Sequence, residues 1–298
     1  MLSKQIKKLE LITEDGITHA LTGNFPARFL YLDGTGIFPI SRLKSHIPHE
    51  DGVGDKGFRA EARRMTLALY VEAQTADEVA ACAYYDFLTY LFQPTASPLI
   101  LQMTRFDNAV RRIEVYLDGQ IDYSQSNRIG GSSKVIIPLY APDPSFYDPT
   151  QQSYTEDLNG DTGANLLLPV ANTTSWGDYP IMDVTGPFTT LSVESVTNNF
   201  RTAILDPIPS GETWRFDFRL DRKKVYRTSD NANKLASIHN YTLETFDKLK
   251  IYGYKELNDY SIRSGWGAAT SVILTAFCTG TGTGSAITLY WYKRYVSL

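Results

Sequence analysis

The chain has 298 residues, enough for about two ordinary domains, and 43% of them are hydrophobic, enough to build two cores. Its formal net charge is -4, and no run of lysine and arginine exceeds three residues, which argues against a surface that grips nucleic acid. No stretch approaches about 18 consecutive apolar residues, so we expect no membrane-spanning helix.

The start of the chain is basic, but Glu10 and Glu14 follow where a signal peptide would need its apolar region, so we expect no export signal. The two cysteines, Cys82 and Cys278, lie inside apolar patterns in different halves of the chain. We therefore expect both to be buried, reduced thiols, which fits assembly in a reducing cytoplasm.

The first half of the chain is predicted to be a β-domain of about seven strands. Lys8 to Thr13 and Ile17 to Leu21 flank a glycine-containing turn and predict a β-hairpin. Pro39 to Gly57 mixes prolines, glycines and charges and predicts a long surface loop. Arg59 to Ala73 carries apolar residues at period two and predicts one long strand. Further strands are predicted around Phe29–Leu32, Ile37–Phe38, Leu99–Met103, Ile113–Leu117 and Val135–Leu139.

One helix is predicted, over about residues 75 to 92. It begins with a capping box, in which the Thr75 hydroxyl accepts from a helical amide while Glu78 reaches back. Apolar residues then recur at three- and four-residue spacing up to Phe92, and Pro94 stops the helix.

The boundary between the two halves is predicted at Tyr140 to Pro149. Three prolines in this stretch rule out a helix or a central strand, so we expect a stiff, extended connector. A solvated linker would avoid aromatic side chains, so Phe146 and Tyr147 predict that the connector is pinned against a domain surface.

The second half contains no convincing helix and predicts a β-sandwich. Gly211 to Phe218 places three aromatic side chains on one strand face, and the last strand alternates Ile287, Leu289 and Trp291 with polar or tyrosine residues. Further strands are predicted at Tyr179–Pro187, at Leu249–Tyr252 and at Val272–Phe277.

A family resemblance becomes visible at the boundary. The apolar strand end Val135–Leu139, followed by Ala-Pro-Asp-Pro-Ser-Phe-Tyr147, resembles the end of the N-terminal domain of siphophage distal tail proteins. These are ring-forming baseplate subunits below the tail tube. The order of an arginine-rich strand, a helix and then hairpins extends the similarity through residues 1 to 147.

The resemblance continues in residues 148 to 298. Asn159 to Asp161, Tyr-Pro-Ile followed by Gly186, and an aromatic strand ending near Asp217 are similar to the galectin-like C-terminal domain of the same family. The family often has a Pro-Gly-x-Asn turn before its penultimate strand, and Ser264 to Ala268 stands there instead.

The resemblance implies a structural subunit of a phage tail tip. It implies a hexameric ring whose N-terminal domains contact the tail tube protein on one face and the tail-tip hub protein on the other, with a receptor-binding protein as a further partner. Localisation would be the virion, after assembly in the host cytoplasm. No enzymatic activity, cofactor, metal or membrane contact is expected, and DNA would pass through the ring without being bound.

The predicted subunit-interface residues are Arg59, Arg63 and Arg64, at the entry of the long strand. A long strand beside a loop offers an edge that one subunit cannot complete alone. A basic ring lumen would retain DNA, so we expect a neutral or acidic lumen and arginines that turn toward subunit contacts.

Other residues are candidates for chemistry. Asp157 to Asp161 has oxygen ligands at alternate positions, like the start of a calcium loop, but the twelfth position is Leu168 and a polar turn is favoured. His46 and His49 sit in the predicted loop and favour a solvated turn over a site.

Two glycine-rich stretches and one basic cluster complete the candidates. The spacing at Gly52 to Gly57 matches a dinucleotide fingerprint, but a strand follows where that fingerprint needs a helix. Thr279 to Gly284 is predicted to be a flexible hairpin tip rather than a phosphate cradle. Arg222 to Lys224 favours a solvated strand end over a binding site.

Two alternatives to the tail role stay open at this stage. A galectin-like sandwich rich in tyrosine and tryptophan is compatible with a carbohydrate-binding module or host adhesin. A β-rich glycosidase is the second alternative, although its paired carboxylates cannot be identified from sequence.

Overall fold

The structure is a computed structural model of the chain. It describes residues 6–22, 27–45, 54–72, 78–93, 97–129, 132–160, 163–169, 179–195, 200–219, 224–240, 271–295 and 297–298. The capping-box threonine Thr75, both loop histidines, the strand predicted at Leu249–Tyr252 and the stretch Ser264–Ala268 lie outside these residues.

The chain divides into two compact units. Unit 1 comprises Met1–Pro149 together with Tyr295–Leu298, and unit 2 comprises Thr150–Arg294. The domain bounds that the resemblance implies, 1 to 147 and 148 to 298, differ from this division by two residues. The last four residues belong to the first unit, which the sequence did not indicate.

Unit 1 is built from antiparallel strands around one core. Strand β1 pairs with β2 and β7, and β7 pairs with β8. Strand β6 pairs with β3 on one side and β10 on the other, and β10 also pairs with β9 and β8. The strands are β1 (Ile6–Ile12), β2 (Thr18–Ala20), β3 (Ala27–Asp33), β4 (Ile40–Ser45), β5 (Gly54–Ala60), β6 (Arg63–Val71), β7 (Leu99–Arg105), β8 (Val110–Leu117), β9 (Asp122–Ile129) and β10 (Ser132–Ala141).

The predicted helix is present as α1 (Glu78–Leu91). Its inner face contributes Ala81, Leu88 and Leu91 to the core of unit 1, followed by Phe92. Three- and four-residue spacing places these side chains on one face, because an α-helix has 3.6 residues per turn. A helix at about the predicted position is confirmed, and α1 is the one α-helix among the described residues.

The predicted loop and long strand are both wrong in detail. Residues 39 to 57 contain β4 and most of β5, which pair antiparallel as a two-stranded sheet. We call β4 and β5 the arm. The long strand is interrupted, because β5 ends at Ala60 and β6 starts at Arg63. The first three residues of β4 are all exposed, so no alternation of apolar and polar residues marked it.

The predicted connector is shorter than expected. Tyr140 lies within β10, which ends at Ala141, and the next strand, β11 (Phe146–Asp157), begins at Phe146. Pro149 therefore lies in a strand and not in the connector. The expectation that the connector is pinned is confirmed, because Phe146 is fully buried in the core of unit 1.

Unit 2 contains two antiparallel sheets whose apolar residues form one core. One sheet has the order β17-β16-β13-β20-β11, and the other β12-β19-β14-β15-β18. The alternating apolar residues predicted on two strands of the first sheet are buried in this core: Trp214, Phe216, Phe218, Ile287, Leu289 and Trp291. The remaining strands are β12 (Gly163–Pro169), β13 (Ile181–Thr185), β14 (Thr190–Ser195), β15 (Phe200–Ile204), β16 (Thr213–Asp217), β17 (Lys224–Arg227), β18 (Ile238–Asn240), β19 (Ser271–Thr279) and β20 (Ala286–Tyr295), and Leu235–Ser237 forms a 3₁₀ turn.

The predicted all-β class is confirmed, with one α-helix in the part of the chain that the structure describes. Unit 1 has ten described strands up to β10 instead of about seven, because the two strands of the arm and β9 were not predicted as separate strands. The strand predicted at Ile37–Phe38 is wrong, since these residues lie in the loop between β3 and β4. Among the described residues, no helix is long and apolar enough to cross a membrane.

Candidate assembly surface

The guanidinium of Arg63 joins two loops of unit 1. Its Nε donates to the carbonyl oxygen of Pro144 at 2.8 Å, and its Nη1 donates to the carbonyl oxygens of Gly34 and, at 2.7 Å, Gly36. Pro144 lies 81 residues from Arg63 in the sequence, and Gly34 lies 29 residues away. One side chain therefore ties the turn after β3 to the connector before β11.

Burial makes this contact costly to break. Arg63 is 1% exposed and lies over the Phe146 ring, with Cζ 4.7 Å from the ring centroid. Burial lowers the pKa of Arg63 to about 10, and the negative charge of nearby Asp143 opposes that shift. The side chain thus remains charged at neutral pH, where each carbonyl accepts a charge-assisted hydrogen bond.

The turn held by Arg63 is fixed from two other directions. Gly34 has φ of +82°, and a Cβ there would overlap the carbonyl oxygen of Arg64, so the turn requires glycine. Buried Thr35 accepts a hydrogen bond from the Leu298 amide at 3.0 Å. Tyr295 stacks on Arg111, whose Cζ lies 3.5 Å from its ring centroid. The end of the chain therefore helps to position this turn.

The arm leaves the body of unit 1 directly after this turn. Among the described strands, β4 and β5 pair only with each other. At the base of the arm, Ile37 is 75% exposed and Ile40 is also exposed. A two-stranded ribbon without a third strand or a covered face is marginally stable in water. The arm and its apolar base are therefore the candidate assembly surface.

The edge predicted from the long strand is not present in β6. Strand β6 is central, because β3 and β10 pair with it on either side. An incomplete edge, which invites pairing with another chain, lies instead in the arm, where β4 and β5 each have one partner among the described strands.

The three predicted interface arginines occupy different environments. Arg63 uses its guanidinium inside its own unit, so it has no surface to offer a neighbour. Arg64 has a side chain that is 81% exposed and forms an ion pair with Asp118 at 3.3 Å. Arg59 lies in β5 of the arm, paired with Ser41 in the backbone register. Subunit contact stays a prediction for Arg59 and Arg64.

The other candidates have local roles where they are described. The Asn159 amide donates to Asp157 Oδ1 at 3.0 Å, as in a polar turn. Gly54 to Gly57 belong to β5, so no helix follows the glycine pattern there. Lys224 is exposed at the start of β17, as expected for a solvated strand end. The described residues contain no group of three or more histidine, cysteine, aspartate or glutamate side chains arranged to hold a metal ion.

The predicted hairpin tip at Thr279 to Gly284 is wrong. This stretch joins β19 and β20, which belong to different sheets of unit 2. Gly280 packs so closely on Thr189 that any side chain would overlap it. Gly280 therefore allows the chain to pass close to Thr189 as it runs from one sheet to the other.

Sequence reasoning missed the outward face of α1. Cys82 was expected to be buried, but it is exposed there, whereas Cys278 is buried as expected. The available signal was that residues 78 to 91 contain no lysine or arginine, which is unusual for a helix facing water.

Comparisons with known proteins found solved structures with a similar fold. No protein-family model and no curated protein matches the sequence. The crystal structure of the Dit protein of phage SPP1, a hub adsorption apparatus of phages that infect Gram-positive bacteria, matches with a TM-score of 0.63 at 13% identity, over 96% of this chain and 98% of that one. A chain of the phage P2 baseplate, in its activated conformation with Ca, matches with a TM-score of 0.52 at 7% identity, over 98% and 99% of the two chains. A P2 baseplate structure with Sr gives a TM-score of 0.50 at 8% identity. The predicted resemblance to distal tail proteins is confirmed as a likeness of fold.

Proposed function

We propose that this chain, which has the fold of a phage Dit protein across its length, is a structural subunit of a phage tail tip. The observation that carries the proposal is the match over 96% of this chain and 98% of the SPP1 protein, so both units take part in it. Fold likeness alone does not define a function, and the surface of unit 1 supplies the second argument.

The arm supports assembly from identical subunits. Its strands pair only with each other among the described strands, and its base exposes Ile37 and Ile40. The Arg63 contacts hold the adjoining turn in place, so the arm leaves a rigid base rather than a loose loop. A rigidly based ribbon loses less conformational entropy when it binds than a free loop would.

In this proposal, six copies form a ring between the tail tube protein and the tail-tip hub protein. Unit 1 supplies the subunit contacts, and unit 2, a galectin-like sandwich in this interpretation, lies at the periphery. DNA passes through the lumen without being held. The formal net charge of -4 per chain supports that last point, because a ring of identical copies then carries no net positive charge that would retain DNA.

The mass of the purified full chain in solution tests the proposal. Light scattering or native mass spectrometry is expected to give a particle of about six times 33.4 kDa. A chain that stays monomeric at tens of micromolar would overturn the ring. In that case, binding to a glycan array would favour the adhesin alternative.

A further inference from the structure

The outward face of α1 carries a continuous stripe of weakly polar and apolar side chains. Val79 is 82% exposed and Tyr90 is 70% exposed, and Cys82, Ala83 and Asp86 between them are also exposed. The spacing is i, i+3, i+4, i+7 and i+11, which aligns these residues along one side of an α-helix. We call them the α1 stripe.

The α1 stripe is unusual because the opposite face of the helix is already committed to the core. Ala81, Leu88 and Leu91 are buried in unit 1, so α1 is largely apolar all round. A helix with this pattern is normally covered on both sides, and an exposed apolar patch marks an interaction surface.

The charges of α1 and of the arm indicate which surface covers the α1 stripe. The α1 residues 78 to 91 contain two acidic residues, Glu78 and Asp86, and no basic residue. The two strands of the arm have the opposite balance, with four basic residues and one acidic residue in their sequences. The arm also has exposed apolar side chains at its base. Opposite charge and shared apolar character make the arm a complementary partner for the α1 stripe.

Within one chain the two surfaces do not cover each other. Ile37 remains 75% exposed and Val79 remains 82% exposed in the isolated chain. The arm that covers an α1 stripe must therefore come from another molecule. A contact between two different surfaces of identical subunits is heterologous, and such contacts generate a closed ring when the rotation between subunits allows closure.

We propose that the α1 stripe of one subunit binds the arm of the next copy of this chain. This inference rests on the proposed ring and names the contact that closes it. Val79, Ala83 and Tyr90 supply the apolar part of the contact, and Asp86 faces the basic arm.

Two substitutions at one position test the contact in the full chain. Ala83 lies in the middle of the α1 stripe, and lysine and glutamate are both good helix formers, so Ala83→Lys and Ala83→Glu both preserve α1. Ala83→Lys sets a cation against the basic arm and is expected to raise the concentration for half-assembly by about tenfold or more. Ala83→Glu is expected to assemble at the wild-type concentration or below it.

A second variant checks the partner. Arg42 is exposed on β4 of the arm, and Arg42→Glu is expected to restore assembly to Ala83→Lys by pairing the new charges. Cys82 serves as a native probe on the α1 stripe, with buried Cys278 as the internal reference. Labelling of Cys82 by a thiol reagent is expected to slow as the wild-type ring forms, while labelling of Cys278 stays slow throughout.

The outcomes separate this inference from the proposed function. A wild-type chain that never assembles overturns the ring and the contact together. A ring that forms equally well with lysine or glutamate at position 83, or in which Cys82 reacts as fast as in the monomer, overturns the contact and leaves the ring. If both substitutions block assembly and Arg42→Glu does not rescue the lysine variant, the arm is not the partner.

Discussion

The two units use buried charge in opposite ways. In unit 1, Arg63 donates to backbone carbonyl oxygens in two loops that are distant in sequence, including that of Pro144. In unit 2, buried Asp183 accepts from the Arg215 side chain on the adjacent strand at 2.6 Å through each oxygen. Buried Asp217 accepts from the Arg219 side chain, two residues away, at 2.8 and 2.6 Å.

This difference separates a tertiary tie from a local one. A guanidinium bound to backbone carbonyls fixes where loops run, because the carbonyls cannot move without losing a charge-assisted hydrogen bond. A carboxylate paired with an arginine on the next strand stabilises a sheet that backbone hydrogen bonds already hold. The most deeply buried of the charged side chains described in unit 1, that of Arg63, therefore lies at the base of the arm, where the proposed assembly needs a fixed geometry.

Removing the Arg63 tie is expected to have the largest effect. Arg63→Met keeps the length of the side chain but leaves the carbonyls of Gly34, Gly36 and Pro144 without this donor. We expect the free energy of unfolding of unit 1 to fall by about 3 kcal/mol or more, since each buried unsatisfied group costs about 1–3 kcal/mol. Hydrogen exchange of β6 and β10, followed by mass spectrometry, measures this loss.

The neighbouring arginine provides the control. Arg64→Met removes the same charge from a side chain that is 81% exposed, so we expect a change within about 0.5 kcal/mol. All four tryptophans lie between residues 150 and 294, so tryptophan fluorescence reports unit 2 and is expected to show an unchanged midpoint for both variants. Equal losses for the two methionine variants would mean that the tie is not what holds these loops.

Much of the fold was predictable from the sequence because periodicity records burial. Trp214 and Phe216 on β16, and Phe218 directly after it, alternate along the chain and are buried as predicted. The helix was predictable because its inner face must meet the core at helical spacing. Both signals come from side chains that contact an apolar interior.

The candidate assembly surface was not predictable because it has no such signal. The first residues of β4 are exposed on both faces, so its strand character depends on cross-strand backbone hydrogen bonds that leave no periodic pattern. The partners of Arg63 are backbone carbonyls, which no sequence motif encodes. The contact of Leu298 with Thr35 joins residues from opposite ends of the chain.

Breaking the local tie in unit 2 is expected to have a smaller effect. Asp183→Asn removes the charge that binds Arg215, but the Arg215 side chain is partly exposed and water can replace part of the loss. We expect the free energy of unfolding of unit 2 to fall by about 2 kcal/mol. Urea unfolding followed by tryptophan fluorescence measures it, because Trp214 lies next to Arg215 on β16.

The same change in a solvated ion pair is the control for unit 2. Asp230→Asn removes a carboxylate that pairs with Arg227 at the surface, so the midpoint is expected to stay at the wild-type value. A midpoint that falls as far for Asp230→Asn as for Asp183→Asn would contradict the role assigned to burial.

The smallest expected effect concerns a polar row on the outer face of unit 1 and depends on pH. Burial raises the pKa of Glu10, but hydrogen bonds from Lys8 and Gln102 and the charges of Lys8 and Arg112 outweigh burial, so the pKa lies below its ordinary value of 4.5. A carboxylate with a lowered pKa stabilises the folded state above its unfolded pKa, and that contribution is lost as the pH falls through the folded pKa. Glu10→Gln is therefore expected to cost less than about 1 kcal/mol near neutral pH, since Lys8 is half-exposed, and nothing once the carboxylate is protonated.

Urea unfolding of the two proteins between neutral pH and about pH 3, followed by the circular dichroism of α1, tests that sign. The curves for wild type and Glu10→Gln are expected to converge as the pH falls below about 4.5, because protonation removes the charge that the substitution removes. Glu114→Gln is the matched control, since Glu114 lies on β8 on the same sheet face, two residues from Arg112. If the gap instead widens in acid, or if Glu114→Gln converges in the same way, then the hydrogen bond from Gln102 at 3.0 Å and the ion pair with Lys8 at 2.7 Å do not favour the ionised form of Glu10.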